Sequence, residues 1–185
     1  MDLDKAIKSR RSVRKFKSKK PDWRDIVEAI DSARYAPIAG GNYTLKFILV
    51  DDPEKIQKIA GACQQDFVGQ AQYLVVACSD SGRLTNSYGK NGEIYSRQQA
   101  GAAMQNFLLK IQDFGLATCW VGYFVESQIK NTLNIPKEVN IEAVFPIGFE
   151  YAKPKTRKTP TDINNILRFN DYEEKNMKQP KKLDV

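Results

Sequence analysis

The chain predicts an α+β fold in which a small sheet is packed by helices. Three observations carry that expectation. Short, largely apolar runs, LKFILV at 45–50 and YLVVAC at 73–78, have the length and β-branched content of buried strands. Segments with apolar residues at helical spacing stand before, between and after them. The order helix, helix, strand, helix, strand, long helix, strand, helix, strand lacks the regular alternation of a parallel α/β sheet.

Residues 3–9 read as a short helix with Leu3, Ala6 and Ile7 on one side. Asp22 is placed as the N-cap of a second helix, with Asp25 favouring the positive end of its dipole and Ile26, Ile30 and Ala33 forming its inner face. That helix must end before Pro37, because the residue preceding a proline avoids the helical region. The stretch APIAGGNYT at 36–44 is loop chemistry that lets a backbone approach something closely. After the strand at 45–50, Pro53 opens a helix over 53–65 carrying Ile56, Ile59 and Ala60. The polar, glycine-containing stretch 79–93 reads as a loop. Residues 97–114 form a helix apolar on most faces, which belongs in the middle of a domain, with Gly115 closing it. TCWVGYF at 118–124 then reads as strand entering loop, 126–133 as a helix, and IEAVFPIGF at 141–149 as a strand interrupted by Pro146.

Length and composition suit one globular domain, since 185 residues with 42% hydrophobic content can bury a core. No composition break or internal repeat divides the chain, and the Lys-, Pro- and Asn-rich tail reads as loose or laid over another surface. The 29 basic and 22 acidic residues leave a net charge of +7, which points to an anionic partner. Histidine is absent, and this excludes serine–histidine and cysteine–histidine nucleophiles and every imidazole zinc site. Cys63, Cys78 and Cys119 are too far apart for a redox pair or a metal knuckle. No metal site is expected. No apolar run is long enough to cross a bilayer and no targeting segment is evident, so a cytoplasmic protein with no membrane partner is expected.

Two cationic clusters stand out. Residues 8–20 hold eight basic residues around SRRSVRKF (9–16) with no acid, and KPKTRK occupies 153–158. The first is either a solvated basic arm or the wall of a pocket that grips an anion. Two such clusters can converge on one phosphate, with arginine giving bidentate geometry and lysine a point charge.

SRRSVRKF, the APxAGGN loop ahead of a strand, AAMQNFLLKIQDFGLATCWVG and VFPIGF followed by KPKTR occur in this order over roughly residues 3–160, and together they resemble the FMN-dependent nitroreductase family. The resemblance implies a homodimeric three-layer sandwich whose central mixed or antiparallel sheet is flanked by helices. The domain would span 1–160, and 161–185 would be an extension, loose or wrapping the second subunit. It implies FMN as cofactor and NAD(P)H as electron donor, with electrons passed to a nitroaromatic, a quinone or another small acceptor by a ping-pong mechanism. A flavin reductase is the alternative within that class. Arg10, Arg11 and Ser12 would bind the phosphate and ribityl chain, and Arg14 would lie near the pyrimidine edge of the flavin. Lys155 and Arg157 match a second phosphate clamp. Pro37, Ile38, Ala39 and Asn42 would reach the flavin of the other subunit, and the backbone at Val121, Gly122 and Tyr123 would pass its N5 and O4. No side chain is assigned as a catalytic acid or base; the flavin carries the hydride.

Two departures accompany the resemblance. Many members continue the Asn loop with Gln-Pro-Trp, where this chain has Tyr43, Thr44 and Leu45. The chain is also short, so the substrate lid is reduced to about residues 79–95. A basic nucleic-acid-binding module is the remote rival; it predicts cations interleaved with exposed aromatics, and the apolar, glycine-containing surroundings of these cations disfavour it.

Overall fold

The computed structural model describes residues 1–152 and 159–177. Met1–Lys153 form one compact unit and Pro154–Val185 a second. In the first unit four strands make one antiparallel sheet in the order β1-β2-β4-β3: β1 Leu45–Val50, β2 Tyr73–Ser79, β3 Ala117–Thr118 and β4 Asn140–Gly148. Six α-helices surround it: α1 Leu3–Ser9, α2 Trp23–Ser32, α3 Pro53–Cys63, α4 Gly82–Tyr88, α5 Asn91–Asp113 and α6 Glu126–Leu133.

The alternation of β2 explains the layering. All seven of its residues are buried. Leu74, Val76 and Cys78 share a core with Ile56, Ile59 and Cys63 of α3 and Ile129 of α6. Tyr73, Val75 and Ala77 face the other way, onto Ile26 and Ala29 of α2 and Ala103, Met104, Phe107 and Ile111 of α5. A strand covered on both faces is apolar along nearly all its length; the polar exception, Ser79 at its end, donates its hydroxyl to Glu142. The result is a three-layer α+β sandwich with helices on each side of the sheet.

The helix starts follow the local chemistry. The Asp2, Asp22 and Asp52 carboxylates accept the backbone N–H groups of Lys5, Arg24 and Glu54, at 3.0, 2.9 and 2.9 Å. The chain leaves α2 through a 3-10 turn at Ala33–Tyr35, ahead of Pro37. Pro146 lies inside β4, opposite Leu74 of β2. The Val144 N–H donates to Val121 O at 2.9 Å, and an N–H two residues on points the same way. The donor missing at Pro146 therefore falls on the β3 side, in the gap between the Thr118–Ile147 and Val121–Val144 pairs, where no ladder bond is lost.

The stretch 79–93, expected as a loop, is instead largely helical: α4 occupies Gly82–Tyr88 and α5 begins at Asn91. Only Leu84 of α4 is buried, so the segment carries too little periodicity to be read as a helix. The stretch 118–124, expected as strand entering loop, has its strand at Ala117–Thr118 and beyond it an isolated bridge at Val121. In the second unit the Asp162 side chain accepts the Asn164 N–H at 2.9 Å and caps a 3-10 turn at Ile163–Asn165.

Candidate functional site

The basic segment is tied to the sheet rather than free in solvent. The Val13 N–H donates to Thr118 O at 2.9 Å, and Ser12 pairs with Thr118 in a parallel bridge. Further on, the Lys17 N–H donates to Phe149 O at 2.8 Å and the Tyr151 N–H to Lys15 O at 3.0 Å, around a bridge between Phe16 and Glu150. Val13 and Phe16 are the buried side chains of this stretch. Phe16 lies across Gly148, where an added Cβ would sit 2.9 Å from the ring. With those two inward, Ser12, Arg14, Lys15 and Lys17 face outward.

The three arginines fare differently. Arg10 closes α1, its N–H donating to Ala6 O at 3.0 Å, and it is half-buried. Arg11 is held by Glu150: Nε donates to Oε1 at 3.1 Å and an Nη to Oε2. The Arg14 guanidinium stands 5.9 Å from the centre of the Phe67 ring. Among the described residues Arg10 and Arg14 have no carboxylate partner, whereas neighbouring Lys8 is paired with Asp4 and Arg11 with Glu150. Two arginines with unused donors therefore flank Ser12.

The same Thr118 leads directly into the segment 121–123. Val121 is buried and exchanges hydrogen bonds with Val144 at 3.0 and 2.9 Å, which anchors the stretch. Gly122 is exposed, and a Cβ there would meet nothing closer than Trp120 Nε1 at 3.8 Å, so its backbone is open to approach. Tyr123 is 69% exposed. The bridge of Ser12 to Thr118 ties the basic segment to the same stretch of chain that carries the open backbone four residues on, at Gly122.

Pro37, Ile38, Ala39 and Asn42 are brought together elsewhere. Gly40 and Gly41 adopt φ of 54° and 71°, which lets the chain turn sharply, and the Asn42 N–H closes the turn on Ala39 O at 2.9 Å. Asn42 Nδ2 donates to Gly40 O at 3.2 Å. Pro37, Ile38 and Ala39 line a cleft of about 220 Å³ together with Tyr95, Gln98, Gln99 and Ala102 of α5. Beneath the loop, Gln99 Nε2 donates to Thr44 Oγ1 at 2.5 Å, and Thr44 and Ser96 share a bond of 3.0 Å. Tyr88 of α4 presses its hydroxyl against Gly40, where a Cβ would overlap it. Among the described residues no hydrogen bond joins this loop to the basic segment.

Lys155 and Arg157 lie outside the described residues. Among the described residues no group of His, Cys, Asp and Glu could hold a metal ion, and no helix is long and apolar enough to cross a membrane. Burial pushes the Cys63 and Cys78 thiols up to about 11, so neither is a nucleophile at neutral pH.

The family model described as the nitroreductase family matches residues 7–67 and 60–149, from the basic segment through the open backbone at 121–123 to the end of β4. The chain belongs to the nitroreductase family. Its relatives include a protein of Methanothermobacter thermautotrophicus named as an NADH dehydrogenase/NAD(P)H nitroreductase, 31% identical over 85% of this chain and 82% of that one. A solved nitroreductase family protein from Clostridium novyi NT is 26% identical, with a TM-score of 0.76, covering 94% of this chain and 96% of its own. The NADPH:FMN oxidoreductase from Vibrio harveyi, solved with NAD+, shares the fold at a TM-score of 0.81 and 20% identity, over 93% of this chain and 78% of its own.

Three neighbours of the nitroreductase motifs escaped sequence reasoning: Thr118, Phe67 and Glu150. The first two carry no local signal, since backbone pairing and a ring beneath a guanidinium depend on distant chain. Glu150 offers one, being the acid directly ahead of the second cationic cluster.

Proposed function

We propose that this chain binds FMN without covalent attachment and moves electrons from NADH or NADPH to a small oxidised acceptor, a nitroaromatic or a quinone. The observation that carries the reading is the pairing of Ser12 with Thr118, which ties the segment of Arg10 and Arg14, neither with a carboxylate partner among the described residues, to the stretch that carries the open backbone at Gly122. A phosphate monoester needs cations with unused donors, and a flat ring needs a backbone it can approach without meeting a side chain. Both are present on these joined stretches, so the residues fit the cofactor. Family membership and the NAD(P)H nitroreductase name of the 31% identical relative support the same reading.

The chemistry that FMN supplies is two-electron transfer, a hydride taken from the nicotinamide and electrons given to the acceptor. The protein's part is placement and charge. Arg10 and Ser12 would hold the phosphate end; Lys155 and Arg157, outside the described residues, would be the second clamp that the family resemblance implies. Arg14, 5.9 Å from the centre of the Phe67 ring, would supply a fixed positive charge at the ring edge, which favours negative charge there. The backbone at 121–123 orients the ring without a titrating group, which suits a chain with no histidine. In a homodimer the loop of residues 37–42 would close the site of the second copy; among the described residues no hydrogen bond joins it to the basic segment of its own chain. Donor and acceptor then use one face in turn, which is ping-pong behaviour.

The test is anaerobic. NADH or NADPH should bleach the visible bands of the FMN-loaded protein, and a nitroaromatic or quinone should restore them. Initial rates should give parallel double-reciprocal lines. Bands that persist under excess NADH and NADPH refute the proposal.

A further inference from the structure

Arg11 and Glu150 stand 139 positions apart in the chain, yet form a two-point contact. Their side chains are 29% and 23% exposed; in the other arginine–carboxylate pairs among the described residues both partners are at least 45% exposed. The contact is thus less screened by salt than its counterparts and more dependent on its geometry. It also does not stand alone. The backbones of 15–17 and 149–151 are joined by the Lys17–Phe149 and Tyr151–Lys15 bonds, and Val13 is joined to Thr118. Residues 11–17 are therefore fastened at three places, of which Arg11 is the first. If that fastening is released, what holds the end bearing Arg10 and Ser12 among the described residues is the end of α1 and the pairing of Ser12 and Val13 with Thr118.

A carboxylate in this neighbourhood works against anion binding. By charge alone, removing Glu150 from beside the basic segment would strengthen the hold on a phosphate. We infer that Arg11 and Glu150 form a positioning pair, which sets the Arg10–Ser12 end in register with the end of β4, and that Arg11 acts on the anion site through Glu150 rather than as a phosphate ligand. The inference rests on the proposed FMN function and deepens it. Two of the donors on the Arg11 fork are used on Glu150, and the orientation they impose is worth more to the site than the negative charge removes.

The test turns on a sign. Apo-protein is titrated with FMN, and in parallel with riboflavin, which lacks the phosphate; quenching of flavin fluorescence is the readout. Wild type is compared with Glu150→Gln, Arg11→Met and the double variant. Both single variants should bind FMN about tenfold more weakly. The double variant should be no worse than either single, because the two residues act as one unit. Riboflavin binding should fall less than FMN binding. Glu150→Gln binding FMN as well as or better than wild type, with Arg11→Met still weakened, makes Arg11 a direct phosphate ligand and overturns the inference. Equal losses for FMN and riboflavin overturn it too, as general damage to the fold. Wild type that binds no FMN removes the functional reading itself, an outcome distinct from the other two.

Discussion

Gly92→Ala sets helix propensity against tertiary packing. Gly92 is the second residue of α5, and at its surface α4 passes so close that an added Cβ would overlap the Leu84 carbonyl and the Thr85 nitrogen. These are backbone atoms and cannot rotate aside as a side-chain tip would. Alanine in place of glycine in a helix favours folding by at most about 1 kcal/mol. Against this, α4 must retreat and loosen the packing of Leu84, which is fully buried; complete burial of a leucine contributes about 1.5–3 kcal/mol. The net is a loss of about 1–2 kcal/mol, within the usual range for overpacking. In a protein of this size that lowers the melting temperature by about 2–8 °C. Thermal unfolding followed by circular dichroism measures the loss, and hydrogen exchange should quicken first across residues 82–96. Since Tyr88 of α4 leans on Gly40, exchange should also rise in the loop at 37–42. A variant that melts at or above the wild-type temperature would show that α4 is not clamped as the packing requires.

Arg14→Gln should slow reduction of the bound flavin by NADH in stopped flow and lower its potential, while an unchanged rate and potential would remove Arg14 from the site. Cys63, Cys78 and Cys119 are all buried, so a thiol reagent should label none in the native protein and all three in denaturant; labelling in the native state would contradict their burial. Glu126 loses solvation on folding, which raises its pKa, but the Lys130 ammonium and the Ile141 N–H outweigh that and leave the carboxyl below its ordinary value of 4.5. A depressed carboxyl stabilises the fold above its unfolded pKa and loses that contribution as the pH falls through the folded value. Glu126→Gln should therefore be less stable than wild type at neutral pH, with the gap closing in acid below the ordinary carboxylate range. A gap that stays constant with pH would rule out the ion pair as its source.

Much of the fold was legible because its signals are local. The strand Leu45–Val50 and the helix Glu126–Leu133 have the boundaries that their apolar runs and flanking prolines and glycines imply. The Asp22 cap and the stop before Pro37 follow from one or two neighbouring residues. What escaped depends on distant contacts. In GRLTNSY the only core residue is Leu84, and the helix exists because Gly92 gives it a surface to rest on. The 118–124 stretch reads as strand entering loop; how soon the strand ends is set by its pairing with distant β4, which is regular only at Ala117–Thr118 and resumes as a single bridge at Val121. In the site, the motif grouped Arg10, Arg11 and Ser12 as neighbours in sequence. Folding separates them in role: Arg11 turns to an acid 139 positions away, while Arg10 has no such partner among the described residues.

An equilibrium titration of the apo-protein with FMN, read beside the same titration of Arg10→Ala, asks the question most directly. Saturable quenching at one FMN per chain, with markedly weaker binding when the guanidinium is gone, is the predicted result. Absence of quenching, or equal affinity for wild type and variant, would contradict a phosphate held by the N-terminal cations.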